Sequence, residues 1–139
     1  MRVLCDTNVL VSALIADGPP NRLIEEAVAD RFELVLPTAV VVELERVLHR
    51  KFGLDPERRH PGVKTLLDVA TDRPPDPASM EAVTGDPDDD LILACAVGAE
   101  VDVIATGDRK HLLPVEEYRG VRIITPQALL AELHLQSSS

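Results

Sequence analysis

Four short apolar runs, Val3-Leu4-Cys5, Leu34-Val35-Leu36, Val101–Thr106 and Val121–Thr125, show no regular alternation of apolar and polar residues. A strand with one wet face alternates, whereas a near-continuous run of Val, Ile and Leu is covered on both faces. Residues at helical spacing separate these runs. Val9, Leu10, Ala13 and Leu14 share one face, Leu23, Ile24, Ala27 and Val28 mark a second helix, and Thr38 caps a third that carries Val41, Leu44 and Leu48. A short helix is expected around Val63–Ala70. Leu91–Val97 is apolar on every side and reads as a helix buried within the domain. Thr125 as cap, with Pro126 in the first turn, opens a last helix carrying Leu129, Leu130 and Leu133. Strands alternating with helices predict an α/β fold: a three-layer α/β/α domain with a central parallel sheet.

A chain of 139 residues accommodates one such domain, expected over residues 1–135, with a polar tail at 136–139 that frays. Gly53, Pro56, Pro61 and Gly62 break the chain after the third helix. Thr71–Asp88, with Pro74, Pro75, Pro77 and Pro87, reads mostly as loop, leaving open where a short edge strand would lie. Asp6 and Asn8 interrupt the first apolar stretch, so no signal peptide is expected, and no run approaches the ~20 apolar residues of a membrane span. Cys5 and Cys95 lie in apolar runs and are too few for a disulfide framework or a four-cysteine zinc site. The expectation is a reduced cytoplasmic protein with no membrane partner.

Composition narrows the function classes. With Phe32, Phe52 and Tyr118 as its only aromatic residues, the chain has no platform on which bases could stack. Lys and Arg number 14 against 24 Asp and Glu, a formal charge of −10, the reverse of a protein that coats a phosphate backbone. Contact with nucleic acid would need something to neutralise the carboxylates, and a divalent cation is the obvious candidate.

The acids are placed to bind one. In parallel α/β sheets ligands sit beyond the carboxyl ends of the strands. Asp6 follows the first strand directly, and Asp108 comes two residues after Thr106. Asp86, Asp88, Asp89 and Asp90 precede the helix leading into that same strand, and Glu43 lies about a turn and a half into the helix after the second strand. Each has a structural explanation: Asp6 and Asp89 as helix caps, Asp108 as a turn residue, Glu43 as a solvated helix residue. Together they would repel one another unless a cation lay among them. Oxygen ligands suit Mg²⁺ or Mn²⁺, which can polarise a phosphodiester and acidify water. Arg109 and Lys110, beside Asp108, are candidates for steering phosphate. Arg46, His49 and Arg50 share a helix face, read mainly as solvated. His60, His111 and His134 are scattered, and nothing in their spacing marks them as ligands.

Asp6-Thr7-Asn8-Val9-Leu10-Val11-Ser12-Ala13-Leu14, Glu43 in Val42-Glu43-Leu44, Asp86-Pro87-Asp88-Asp89-Asp90-Leu91-Ile92-Leu93-Ala94-Cys95-Ala96 and Thr106-Gly107-Asp108 occur in that order. Together, and over Met1 to about Leu133, they resemble a PIN domain of the VapC-like toxin type. The resemblance implies a Mg²⁺- or Mn²⁺-dependent endoribonuclease leaving a 5′-phosphate and a 3′-hydroxyl. It further implies the toxin of a VapBC-type toxin–antitoxin pair, with RNA as substrate, a cognate antitoxin protein as partner and a homodimer as the assembly. It assigns Asp6, Glu43, Asp89 and Asp108 as metal-binding, catalytic acids and makes Asn8, Ser12 and Thr106 polar supporters. Helical periodicity does not choose among the aspartates of residues 86–90. The family pattern selects Asp89, leaving Asp88 and Asp90 as helix-start charges and Asp86 as an outer residue. Two features depart from the family: Arg109-Lys110-His111 stands where many relatives carry a second acid, and the region between Arg50 and Asp86 is short and proline-rich.

A haloacid-dehalogenase-type phosphatase would need an acid where Asn8 stands, and a response-regulator receiver a Lys where Thr125 precedes Pro126. The remaining alternatives are a non-catalytic PIN-like interaction domain and a PIN nuclease of RNA processing or decay outside a toxin–antitoxin pair. Metal-dependent RNA cleavage that is lost on changing Asp6 separates the first of these from an enzyme.

Overall fold

The computed structural model describes residues 1–55 and 60–137. Strands β1 (Arg2–Cys5), β2 (Glu33–Val35), β3 (Val103–Ala105), β4 (Glu117–Tyr118) and β5 (Val121–Ile124) form one sheet in the order β2-β1-β3-β5-β4. All neighbours are parallel except β4, which pairs antiparallel with β5 at the edge. The central strands are the apolar runs of the sequence, and Val3, Leu4, Val103 and Ile104 are fully buried. The expected three-layer α/β/α architecture with a mostly parallel sheet is the one observed.

Helix α1 (Thr7–Ile15) and helix α2 (Pro19–Val28) connect β1 to β2; α3 (Thr38–Phe52), α4 (Pro61–Val69) and α5 (Pro87–Gly98) lie between β2 and β3; α6 (Pro126–Ser137) follows β5. The crossovers from β1 to β2 and from β2 to β3 run in opposite directions along the sheet. Right-handed connections therefore put α1 and α2 on one face and α5 on the other. α1 packs against α2 and α3, and α2 packs against α6. α5 buries Ile92, Leu93, Cys95 and Ala96, each apolar side chain worth roughly 1.5–3 kcal/mol when large and fully covered. The thiols of Cys5 and Cys95 are free and buried.

Several boundaries differ from the sequence reading. Pro37, not Thr38, occupies the cap position of α3, with no side-chain cap bond. α4 begins at Pro61, where the ring of His60 accepts the Gly62 N–H at 2.9 Å. α5 starts four residues before Leu91. The cap expected from Thr125 is present, its hydroxyl accepting the Ala128 N–H at 3.1 Å. Helix α6 extends through Gln136 and Ser137 of the expected tail, while residues 138–139, and Pro56 in the break after α3, lie outside the described residues.

The proline-rich stretch holds a fragment of edge strand. Asp72 bridges Val35 in parallel, and the Leu36 and Thr38 N–H groups donate to the carbonyls of Asp72 and Pro74 at 2.8 and 3.0 Å. Strand β4 escaped the sequence reading because it is two residues long. It joins β5 through Arg119 and Gly120, both at positive φ (49° and 85°), as a two-residue hairpin turn requires. Among the described residues, no helix is long and apolar enough to cross a membrane.

Candidate metal centre

β1 and β3 are adjacent, parallel and in register, with Cys5 opposite Ala105, so the residues after them leave the sheet side by side. The next residues are Asp6 and Thr106, both buried. This is also where the chain order reverses, β2 lying to one side of β1 and β3 to the other, the crevice position of such sheets. Asp6 Oδ1 accepts the Val9 N–H at 2.9 Å and so caps α1. Its Oδ2 accepts the Thr106 hydroxyl, whose oxygen in turn accepts the Asp108 N–H at 3.0 Å. One buried hydroxyl thus links the two strand-end acids. Asp108 Oδ1 folds its own turn by accepting the N–H groups of Lys110 and His111 at 2.9 and 3.1 Å.

The start of α5 supplies the third acid. Asp86, not Asp89, is its cap: Oδ1 of Asp86 accepts the N–H groups of Asp88 and Asp89 at 2.8 and 3.3 Å. Successive residues on a helix diverge by about 100°, so Asp89 and Asp90 face different surroundings. Asp89 faces the cleft. Asp90 stands in the first turn of α5, as expected of a helix-start charge, but it is 6% exposed, and its Oδ1 accepts the Val83 and Thr84 N–H groups and the Thr84 hydroxyl at 3.1, 2.8 and 2.9 Å. It fastens the loop to α5. Asp88 is the expected helix-start charge and is exposed.

These groups open onto a cleft of about 1020 Å³ lined by Asp6, Asn8, Glu43, Asp86, Asp89 and Asp108, together with Arg46, Lys110 and His111. Glu43 shares the cleft, but its carboxylate is engaged by Arg46 at 2.9 Å and lies 3.8 Å from Arg50. The helix face of Arg46 and Arg50 is therefore partly occupied by an acid of its own helix, and the His49 ring lies 2.7 Å from the Leu54 carbonyl. Two expected site residues are not brought in. Ser12 is exposed and outside the cleft lining, being one further turn, about 6 Å, along α1 from Asn8. Arg109 is exposed and is not among the residues lining the cleft, which its neighbour Lys110 joins.

Burial raises the Asp6 pKa, and the nearby Asp108 charge adds to this against the opposing Thr106 and Val9 hydrogen bonds. Asp89 is pushed up to about 7, first by burial, then by sharing a hydrogen bond with Asp108 and by the charges of Asp108, Asp86 and Asp6. Burial acts on Asp108 in the same sense, but the N–H groups of Lys110 and His111, the Asp89 carboxyl and the His111 ring outweigh it. Asp108 is held below the ordinary carboxylate range. The two neighbouring carboxyls are thus pushed in opposite directions, Asp89 up and Asp108 down, as expected for like charges held close together.

His111, passed over in the sequence, belongs to this cluster. Its Nδ1 lies 3.5 Å from Asp89 Oδ2 and 3.6 Å from Asp108 Oδ2. Among the described residues, Asp86, Asp89 and His111 each offer a ligand atom, all within 4.8 Å of one another. The signal in the sequence was its place three residues after Asp108, within the turn that Asp108 closes. Carboxylate oxygens with one imidazole nitrogen form a donor set that fits a divalent cation such as Mg²⁺ or Mn²⁺. A cation there would offset the burial and the mutual repulsion that raise the Asp89 pKa, and would draw a phosphate into the cleft.

The profile of the PIN domain family matches residues 2–110, most of the chain. No curated protein matches this chain's sequence.

Proposed function

The chain belongs to the PIN domain family, and from that premise we propose that it is a Mg²⁺- or Mn²⁺-dependent endoribonuclease, the toxin of a VapBC-type toxin–antitoxin pair. One observation carries the reading: acids following β1 and β3 and at the start of α5 converge in one cleft, where burial first, and then the neighbouring carboxylates, push the Asp89 pKa up to about 7. Asp6, Asp89 and Asp108 would hold the metal, with Glu43 joining them on release from Arg46. When bound, the cation supplies charge neutralisation at the scissile phosphate and acidification of water.

The chain's own groups do the rest. Thr106 keeps Asp6 and Asp108 at a constant separation, and the Asp108 turn presents Lys110 to the cleft. Lys110 and Arg46 draw in phosphate that the overall charge of −10 would otherwise repel. The carboxylates are equally suited to a basic antitoxin segment whose Arg or Lys enters the cluster in competition with metal. The assembly on this reading is a cytoplasmic homodimer.

The test is cleavage of single-stranded RNA by the purified chain with Mg²⁺ or Mn²⁺, with Asp6→Asn and a chelator as controls and the product ends determined. Metal-dependent cleavage to a 5′-phosphate and a 3′-hydroxyl supports the enzyme. Cleavage that survives both controls, or none with either metal, sinks it. The toxin role is tested separately, by whether expression arrests growth and whether the product of an adjacent short reading frame restores it. Arrest without such rescue would favour a nuclease of RNA processing or decay.

A further inference from the structure

We propose that His111 is a nitrogen ligand of the metal centre, joining Asp89 and Asp108, with Asp86 within reach, in a mixed carboxylate–imidazole set that favours Mn²⁺ over Mg²⁺. The inference rests on the reading of the cleft as a metal site and adds to it a residue outside the family match, which ends at residue 110.

The separations carry the argument. An imidazole paired directly with a carboxylate closes to about 2.7–2.9 Å. His111 Nδ1 instead stands off from two carboxylates almost equally, at 3.5 Å from Asp89 and 3.6 Å from Asp108. Ligand atoms about 2.1 Å from a cation lie about 3.0 Å apart at a right angle and about 3.4 Å apart at the tetrahedral angle. The observed spacing is close to that of atoms facing a shared ion and too long for a hydrogen bond.

The backbone that carries the ring is also held in place. The His111 N–H donates to Asp108 Oδ1, the Leu113 N–H donates to the Asp108 carbonyl at 2.9 Å, and Leu112 between them is fully buried. The His111 backbone can therefore leave the rim of the cleft only if this turn opens.

Oδ1 of Asp86 and Oδ1 of Asp108 each already accept two backbone N–H groups. Their Oδ2 atoms and the Asp89 carboxylate are left to face a cation, and the imidazole nitrogen adds a donor beside them. Imidazole suits a transition ion better than Mg²⁺, which prefers oxygen and keeps its waters.

The experiment uses the full chain with Mn²⁺ or Mg²⁺ alone and no RNA. Pulsed electron paramagnetic resonance of the Mn²⁺-loaded protein should show histidine ¹⁴N coupling that disappears in His111→Gln. Titration calorimetry should show His111→Gln weakening Mn²⁺ binding by roughly tenfold or more, with Mg²⁺ binding changed by less than about threefold. His111→Ala should behave as His111→Gln does, excluding an effect of the introduced amide. Mn²⁺ bound without ¹⁴N coupling, or equal weakening of both metals, overturns the role of His111 and leaves the metal centre standing. Wild-type protein that binds neither ion overturns both.

Discussion

The buried hydroxyl of Thr106 donates to the carboxylate of Asp6, joining the ends of two adjacent parallel strands. The same oxygen accepts the Asp108 N–H, so a residue with no charge sets the spacing of two acids. Thr106→Val preserves the shape and removes both bonds. The Asp6 oxygen then stays buried without a donor, at an expected cost of roughly 1–3 kcal/mol. Urea denaturation measures this, and Thr106→Ser should recover most of the loss. Equal destabilisation by Val and Ser would assign the effect to packing of the methyl group instead.

The charge on Asp89 gives the metal-free protein a distinctive pH dependence. Its pKa rises from 3.8 to about 7 on folding, so the folded state binds the proton more tightly than the unfolded chain. The resulting stabilisation is complete below the ordinary carboxylate range and is lost as pH rises through about 7. Asp6 shifts in the same direction, while Asp108 shifts the opposite way and contributes its share only above the ordinary range. With chelator present, Tm should fall between about pH 4 and pH 7, and Asp89→Asn should flatten that decline. A slope unchanged in the variant would place the titrating group elsewhere.

Neighbouring aspartates at the start of α5 should separate activity from stability. Asp89→Asn removes a charge from a crowded cluster, so RNA cleavage should be lost while Tm at neutral pH holds or rises. Asp90→Ala removes the acceptor that fastens Val83 and Thr84, and should lower Tm by several degrees. Asp88→Asn should leave cleavage close to wild type and stability within about 0.3–1 kcal/mol, the worth of an exposed charge at a helix start. Thermal melts and a cleavage assay on the three variants suffice. Cleavage that persists in Asp89→Asn and is lost in a folded Asp90→Asn would exchange their roles.

Glu43 reaches a metal only by giving up Arg46. An exposed pair of this kind is worth about 0.2–1 kcal/mol. Arg46→Ala should therefore strengthen metal binding by a factor of roughly 1.5–5, and Glu43→Gln should weaken it. Calorimetry without RNA reads both. If neither substitution changes the affinity, Glu43 is a partner of Arg46 alone.

Local chemistry made much of this protein legible from its sequence. Uninterrupted apolar runs such as Val3-Leu4-Cys5 read as strands covered on both faces, and the parallel layered fold follows from their alternation with helices. The same fold rule directs attention to the strand ends, where Asp6, Thr106 and Asp108 stand. What the sequence could not specify depended on direction and distance. A strand of two residues, Glu117–Tyr118, has no periodicity to detect, and the turn that makes it is settled by pairing with β5. Asp89 and Asp90 are chemically identical neighbours, and only packing against the Val83–Thr84 loop turns one into an anchor and leaves the other facing the cleft. His111 carries no signature of its own. Its ring meets Asp89, 22 positions earlier in the chain, because α5 and the Asp108 turn converge at one rim of the sheet, and such long-range proximity is a property of the tertiary fold alone.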